Sequence, residues 1–149
     1  MKNIEHLVDQ LYKKYGTCNP FRLCGELGIS YFFLKMPSKT NGLYYQISGE
    51  KVILINQELN ETESRITAAH ELGHALLHPE TNSLLMSSKT NLETGRFERQ
   101  ANYFATCLLL SCLRDDPCFK DLSCESLSAI TGLDIEMIRF WCENHLDFE

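Results

Sequence analysis

No stretch of this chain is apolar for long enough to cross a bilayer. The most apolar run, Ala105 to Leu113, is short and is broken by Thr106 and Ser111, whereas a spanning helix needs about 20 apolar residues. A secretory leader is also lacking, because Met1-Lys2-Asn3-Ile4-Glu5-His6 puts an acid and polar groups where a leader carries its apolar core. The expectation is a cytosolic protein with no membrane partner. None of the seven cysteines forms a C-x-x-C pair, which argues against a thiolate zinc knuckle. An odd count without an export signal argues against a disulfide framework. Cys112, Cys118 and Cys124 recur every six residues, a spacing that fits neither a ligand knuckle nor one helix face. The cysteines therefore read as reduced thiols used as small apolar residues. Positive charge is scarce where it would matter. The net charge is −6, and residues 115–149 hold two basic residues, Lys120 and Arg139, against nine acids. Such an end repels phosphate backbones, so no direct nucleic-acid binding is expected through it.

What is present suits one domain over residues 1–149 with a single core, for the length is 149 and 44% of residues are hydrophobic. There is no internal repeat, low-complexity stretch or interdomain linker. At the centre lies His70-Glu71-Leu72-Gly73-His74, an H-E-x-x-H pattern inside a run that reads as helix from Glu61 to His78. Side chains four apart share one helix face. His70 and His74 can thus aim two imidazoles at one point, as a tetrahedral zinc ion requires, with Glu71 beside the first ligand as general base.

The remaining segments read as an α+β chain. Ile4, Leu7, Val8 and Leu11 have helical spacing, giving an amphipathic helix over residues 3–15 that ends near Gly16. Asn19-Pro20 opens a short helix that stops at Gly28. Residues 29–36 read as a strand, and residues 42–47 and 51–56, joined through Ser48-Gly49-Glu50, as a β-hairpin. Asn60 with Glu63 has the form of a capping box. Gly73 in mid-helix costs about 1 kcal/mol against alanine, which suggests that a neighbouring backbone comes close there. Pro79 ends that helix, and the segment to Asn91 reads as loop. A third long helix is expected from about Phe97 to Leu113, with Ala101, Phe104, Ala105, Leu108 and Leu109 facing inward. A helix pair follows over residues 122–131 and 134–144, turned by Gly132.

A catalytic zinc site wants three protein ligands and an open fourth position. His78 lies two turns beyond His70, about 12 Å along the axis, too far to share the ion. It reads instead as closing the helix C-terminus, where a partly positive imidazole is favoured. Glu98 is the better third ligand, because Glu98, Asn102 and Ala105 share a stripe whose small alanines let the two helices press together; Glu93 is the weaker choice. Asn102, one turn along, is placed to accept the free ring N–H of a ligating histidine.

The stretch from Gly42 to Leu110 resembles the ImmA/IrrE family of zinc peptidases. The shared pattern is a G-x-Y-Y hairpin (Gly42 to Tyr45), I-x-I-N (Ile53 to Asn56), A-H-E-L-G-H-x-L-L-H (Ala69 to His78) and E-x-x-A-N-x-F-A-x-x-L-L (Glu98 to Leu109). One departure is Leu110-Ser111 where the family continues into M-P, which leaves the end of that helix open. The resemblance implies a minimal zincin-like fold, a small sheet or hairpin packed on the H-E-x-x-H helix with further helices at both ends. It also implies zinc held by His70, His74 and Glu98, and Glu71 as general base. Its implied substrate is a cytosolic protein, a helix-turn-helix repressor of a mobile element or stress regulon. The hairpin offers an edge strand to which an extended peptide could add above the metal. Tyr44, Tyr45 and Tyr103 are candidates for steadying an oxyanion, with aromatic packing as the alternative role of each. Two other functions compete. One is a zincin scaffold that regulates a transcription factor without cutting it. The other is a DNA-binding helix-turn-helix over Leu127 to Arg139, whose recognition helix would carry one arginine among acids.

Overall fold

A computed structural model describes residues 1–81 and 91–145, with side chains described outside residues 91–94. The order of elements is α1 (Lys2–Tyr15), α2 (Pro20–Glu26), β1 (Ser30–Leu34), β2 (Gly42–Ile47), β3 (Glu50–Asn56), α3 (Glu61–Leu77) and α4 (Asn91–Ser111). A single 3-10 turn (Phe119–Asp121) then leads to α5 (Cys124–Thr131) and α6 (Ile135–His145). The architecture is α+β: strands β2 and β3 of a three-stranded sheet pack against the long central helix α3, α4 packs along α3, and α1 and α6 pack on α4.

The strands run in the order β1-β3-β2. The hairpin expected from the sequence is the antiparallel β2/β3 pair, with Tyr44 opposite Ile53. Ser48 and Gly49, both at positive φ, make its turn. β1 joins the other side of β3 in parallel, with Tyr31 opposite Ile53 and Phe33 opposite Ile55. Ile53 and Ile55 turn inward and are wholly buried. Among the described residues β2 and β1 are thus the outer strands, and of the two it is β2 that borders α3.

α3 begins on the capping box. Asn60 Oδ1 accepts from Glu63 N at 2.8 Å, and Glu63 Oε2 accepts from Asn60 N at 3.4 Å. Near its other end Lys51 Nζ of β3 donates to Ala75 O at 2.9 Å, which satisfies a late carbonyl and ties sheet to helix. Ala68, Ala69, Leu72 and Ala75 of α3 share the core with Phe104, Ala105 and Leu108 of α4.

α4 departs from the expected boundary, starting at Asn91 rather than near Phe97 and ending at Ser111 rather than Leu113. Residues 91–96 carry too few apolar side chains to show a buried stripe, so periodicity missed that first turn and a half. The absent M-P leaves the helix end unchanged in kind, since it stops at Ser111 without a proline. Residues 82–90, read above as loop, lie outside the described residues.

The cysteines are not all reduced, contrary to expectation. Cys18, between α1 and α2, is bonded to Cys112 directly after α4. Local spacing could not reveal a pair 94 residues apart in sequence. Among the described residues no helix is long and apolar enough to cross a membrane.

Candidate metal centre

One turn apart on α3, His70 and His74 direct their Nε2 atoms to the same point, 3.2 Å from each other. Glu98 of α4 closes the triangle, with Oε2 3.1 Å from His70 Nε2 and Oε1 3.0 Å from His74 Nε2. Donors held about 2.0–2.1 Å from a tetrahedral ion lie roughly 3.3 Å from one another. The two imidazole nitrogens and the Glu98 carboxylate, one oxygen toward each ring, therefore stand close to the separations that a zinc-sized ion demands, and two imidazoles with a carboxylate suit zinc. Among the described residues no other group of three such donors converges in this way.

The close approach of α4 depends on small residues. A Cβ at Gly73 would lie 3.1 Å from Phe104 Cδ1 and 3.2 Å from both Cα and O of Ala101. Gly42, at the start of β2, plays the same part on the opposite wall, for a Cβ there would come within 2.6 Å of Thr67 Cγ2 and 2.9 Å of Leu54 O. Glu71 sits beneath it, with Cγ 3.3 Å from where that Cβ would be.

Each histidine is also gripped on its far side. Asn102 Oδ1 stands 2.7 Å from His70 Nδ1, the contact expected from sequence. At His74 the partner is His78, whose Nδ1 lies 3.3 Å from His74 Nδ1. The role read for His78, a partly charged imidazole closing α3, is therefore corrected. The residue does end the helix, but it is buried against Phe97, His74 and Gln100, and burial holds its pKa below the ordinary histidine value.

Electrostatics separate the two carboxylates. Hydrogen bonds from His70 and His74 hold Glu98 far below the usual carboxylate range. Burial pushes Glu71 the other way, up, although the neighbouring histidines oppose it. For His70 burial acts downward, but the hydrogen bond to Glu98 and the charges of Glu71 and Glu98 outweigh it and raise the pKa. An exposed cleft of about 520 Å³ opens over the centre, lined by Asn41, Gly42 and Leu43 on the strand side and by Thr67, Glu98 and Met137 on the helix side.

Residues 24–112, well over half of the chain, match the family described as the IrrE N-terminal-like domain, Peptidase_M78. The chain belongs to this ImmA/IrrE peptidase family. It is 37% identical over 107 residues to "Uncharacterized immunity region protein 2" of Bacillus phage phi105, covering 72% of this chain and 68% of that protein. It is 29% identical over 110 residues to "Metallopeptidase ImmA" of Bacillus subtilis (strain 168), covering 74% of this chain and 64% of that one. The fold is similar to that of a solved "Mycobacterium tuberculosis transcriptional regulator", at a TM-score of 0.62 and 18% identity, across 93% of this chain and 54% of that chain.

Within this ImmA/IrrE fold the structure brings His70, Glu71, His74 and Glu98 together at one cleft. Glu93 lies outside the residues whose side chains are described. Of the tyrosines, Tyr44 lines the cleft with its hydroxyl donating to Pro79 O at 2.7 Å, whereas the Tyr103 hydroxyl donates to Glu5 of α1. Tyr45 does not line the cleft. Sequence reasoning missed Thr67, Met137 and Gln100, because their roles depend on which elements meet rather than on any local pattern. The helix pair α5/α6 forms as expected, but its one arginine, Arg139, is held by Glu136 at 2.7 Å and by Glu125 at 3.7 Å.

Proposed function

We propose that residues 1–149 act as one zincin-like domain and that the protein is a zinc-dependent endopeptidase. The proposed substrate is a cytoplasmic helix-turn-helix repressor, cut so that its genes are released. The carrying observation is the triangle of His70, His74 and Glu98 donors with buried Glu71 beside it. Bound there, zinc would supply Lewis acidity to a peptide carbonyl and to the attacking water.

The chain's own residues do the rest. Glu98 stays ionised and anchors the donor set, while the raised pKa of Glu71 suits a carboxylate that takes the proton of the attacking water and returns it to the leaving amine. β2, whose residues Gly42 to Tyr44 line the cleft, is where an extended peptide would lie alongside the donor set. Support for an anti-repressor role comes from membership of the ImmA/IrrE family and from the acidic end, which suits the basic DNA-binding face of a repressor. The intact donor set favours cutting over a non-cleaving regulatory scaffold.

The experiment is zinc analysis combined with co-expression. Wild type should hold about one zinc per chain, and His74→Ala and Glu98→Ala should each lose most of it. Beside a helix-turn-helix repressor from the same locus, wild type should leave a shortened repressor. Glu71→Gln should keep zinc but leave the repressor whole, since general-base catalysis contributes roughly 10²–10⁴-fold. Equal relief of repression by both proteins, with the repressor uncut, would replace the peptidase reading with the scaffold one.

A further inference from the structure

Five cysteines are free thiols, and their surroundings differ. Cys24 and Cys107 are buried, and burial pushes the pKa of each well up, so neither offers a thiolate to solvent. Cys118 is exposed. Cys124 and Cys142 meet each other. Their Sγ atoms lie 3.3 Å apart although 18 residues separate them in sequence, and both are half-buried on the α5/α6 pair.

The fold around the sulfurs holds this contact in place. Gly132, at φ +77°, turns α5 into α6, and a Cβ there would lie 2.4 Å from Thr62 Cγ2, so the turn is seated directly on α3. Leu127, Leu133 and Ile138 bury the inner face of the pair. Ser128 Oγ donates to Leu133 O at 2.7 Å, which fastens the turn from within. A disulfide has its sulfurs about 2.05 Å apart. Closing the pair therefore takes an approach of about 1.3 Å, which side-chain rotation supplies with the helices where they stand.

We propose that Cys124 and Cys142 form a thiol–disulfide exchange site, closed by a low-molecular-weight disulfide. The Cys124 thiolate attacks one sulfur of that disulfide and its S–S bond breaks. One half stays on Cys124 as a mixed disulfide, and the other leaves as a thiolate that takes up a proton from water, replacing the one Cys124 gave up. Cys142 then attacks Cys124 Sγ and expels the second half, which leaves with the Cys142 proton. Two protein thiols are oxidised, and one disulfide is reduced to two thiols. The order of attack follows from the surroundings of the two sulfurs. Cys124 opens α5 behind the Ser123 cap, at the positive end of the helix dipole. Burial, then the hydrogen bond and charge of Cys124, push the Cys142 thiol up to about 11, so it is the resolving partner. The bond would tie α6, the helix that gives Met137 to the cleft wall, to the first turn of α5. None of its atoms belongs to His70, His74 or Glu98, so the inference stands apart from the metal reading.

The test uses the folded, unreduced full chain with bis(2-hydroxyethyl) disulfide, a small uncharged probe that the acidic end does not repel. Cys118→Ser removes the exposed competitor and leaves four free thiols. After treatment, a thiol count in denaturant should fall from four to two. The chain should become lighter by two hydrogen atoms with no adduct retained, and peptide mapping should join Cys124 to Cys142. Cys142→Ser in the same background should stop at a mixed disulfide on Cys124, whereas Cys124→Ser should react far more slowly. Adduct formation at Cys118 of the wild type shows that the probe is active. With that control positive, four thiols remaining, or adducts persisting on Cys124 or Cys142 of the Cys118→Ser protein without closure, would overturn the proposal. Equal adduct formation by the Cys124→Ser and Cys142→Ser proteins would overturn the assigned order of attack.

Discussion

At the scale of single residues, the centre depends on giving two neighbouring glutamates opposite characters. Glu98 is ionised by its two histidine partners, whereas Glu71 is driven toward the neutral form by burial. A carboxyl whose folded pKa exceeds its unfolded value withdraws stability as pH rises through the unfolded value, because the unfolded chain ionises while the fold still holds the proton. Metal-free Glu71→Gln should therefore melt above metal-free wild type at neutral pH, and the gap should close as pH falls toward about 4. A gap independent of pH in calorimetric melts would contradict the assignment. H-E-x-x-H spacing made this pair of ligands legible in the sequence, because a helix converts a separation of four into proximity. Asn102 was legible for the same reason, one turn from Glu98. Gln100 and the true surroundings of His78 were not, since they depend on how α3 meets α4, which no local pattern encodes.

At the scale of elements, the α3/α4 contact decides whether Glu98 reaches the histidines. Gly73→Ala removes a helix-interior glycine and should by itself favour α3 by about 1 kcal/mol. The new methyl would however press on the backbone of Ala101 at 3.2 Å and on Phe104 at 3.1 Å, and overpacking of this kind costs roughly 1–3 kcal/mol. The expected outcome is a net loss of up to about 2 kcal/mol in denaturant titrations, with weaker zinc retention because α4 moves outward. A raised melting temperature with full zinc retention would show that the helices are less tightly opposed. Most elements could be read in advance because caps and turns mark them: Asn60 with Glu63, Asn19-Pro20, Ser48-Gly49 and Gly132. The parallel pairing of β1 with β3 could not, for Tyr31, Phe32, Phe33 and Leu34 alternate no polarity that would announce a partner. The early start of α4 escaped for a related reason, residues 91–96 offering no apolar periodicity in the sequence.

At the scale of the whole molecule, one covalent link changes the reading of composition. With Cys18 bonded to Cys112, five cysteines are free. Thiol titration of the denatured, unreduced protein should therefore count five per chain, and a count of seven would restore the all-reduced expectation. A reducing cytosol opposes such bonds, so the same titration on protein taken directly from cells reports on its compartment as well. Closing a loop of this length removes up to about 4–5 kcal/mol of freedom from the unfolded chain. The double variant Cys18→Ser with Cys112→Ser should accordingly melt lower than the oxidised protein and match it once reductant is added. The position of the link has a topological consequence too. Residues 70, 71, 74 and 98 all lie inside the covalent ring that it closes, while α1, α5 and α6 hang outside. A single backbone nick anywhere in that ring would leave both pieces tethered, so that they separate on a gel only after reduction. Until then each half would remain at high effective concentration around the other, and the two sides of the cleft would keep each other's company after the chain itself had been cut.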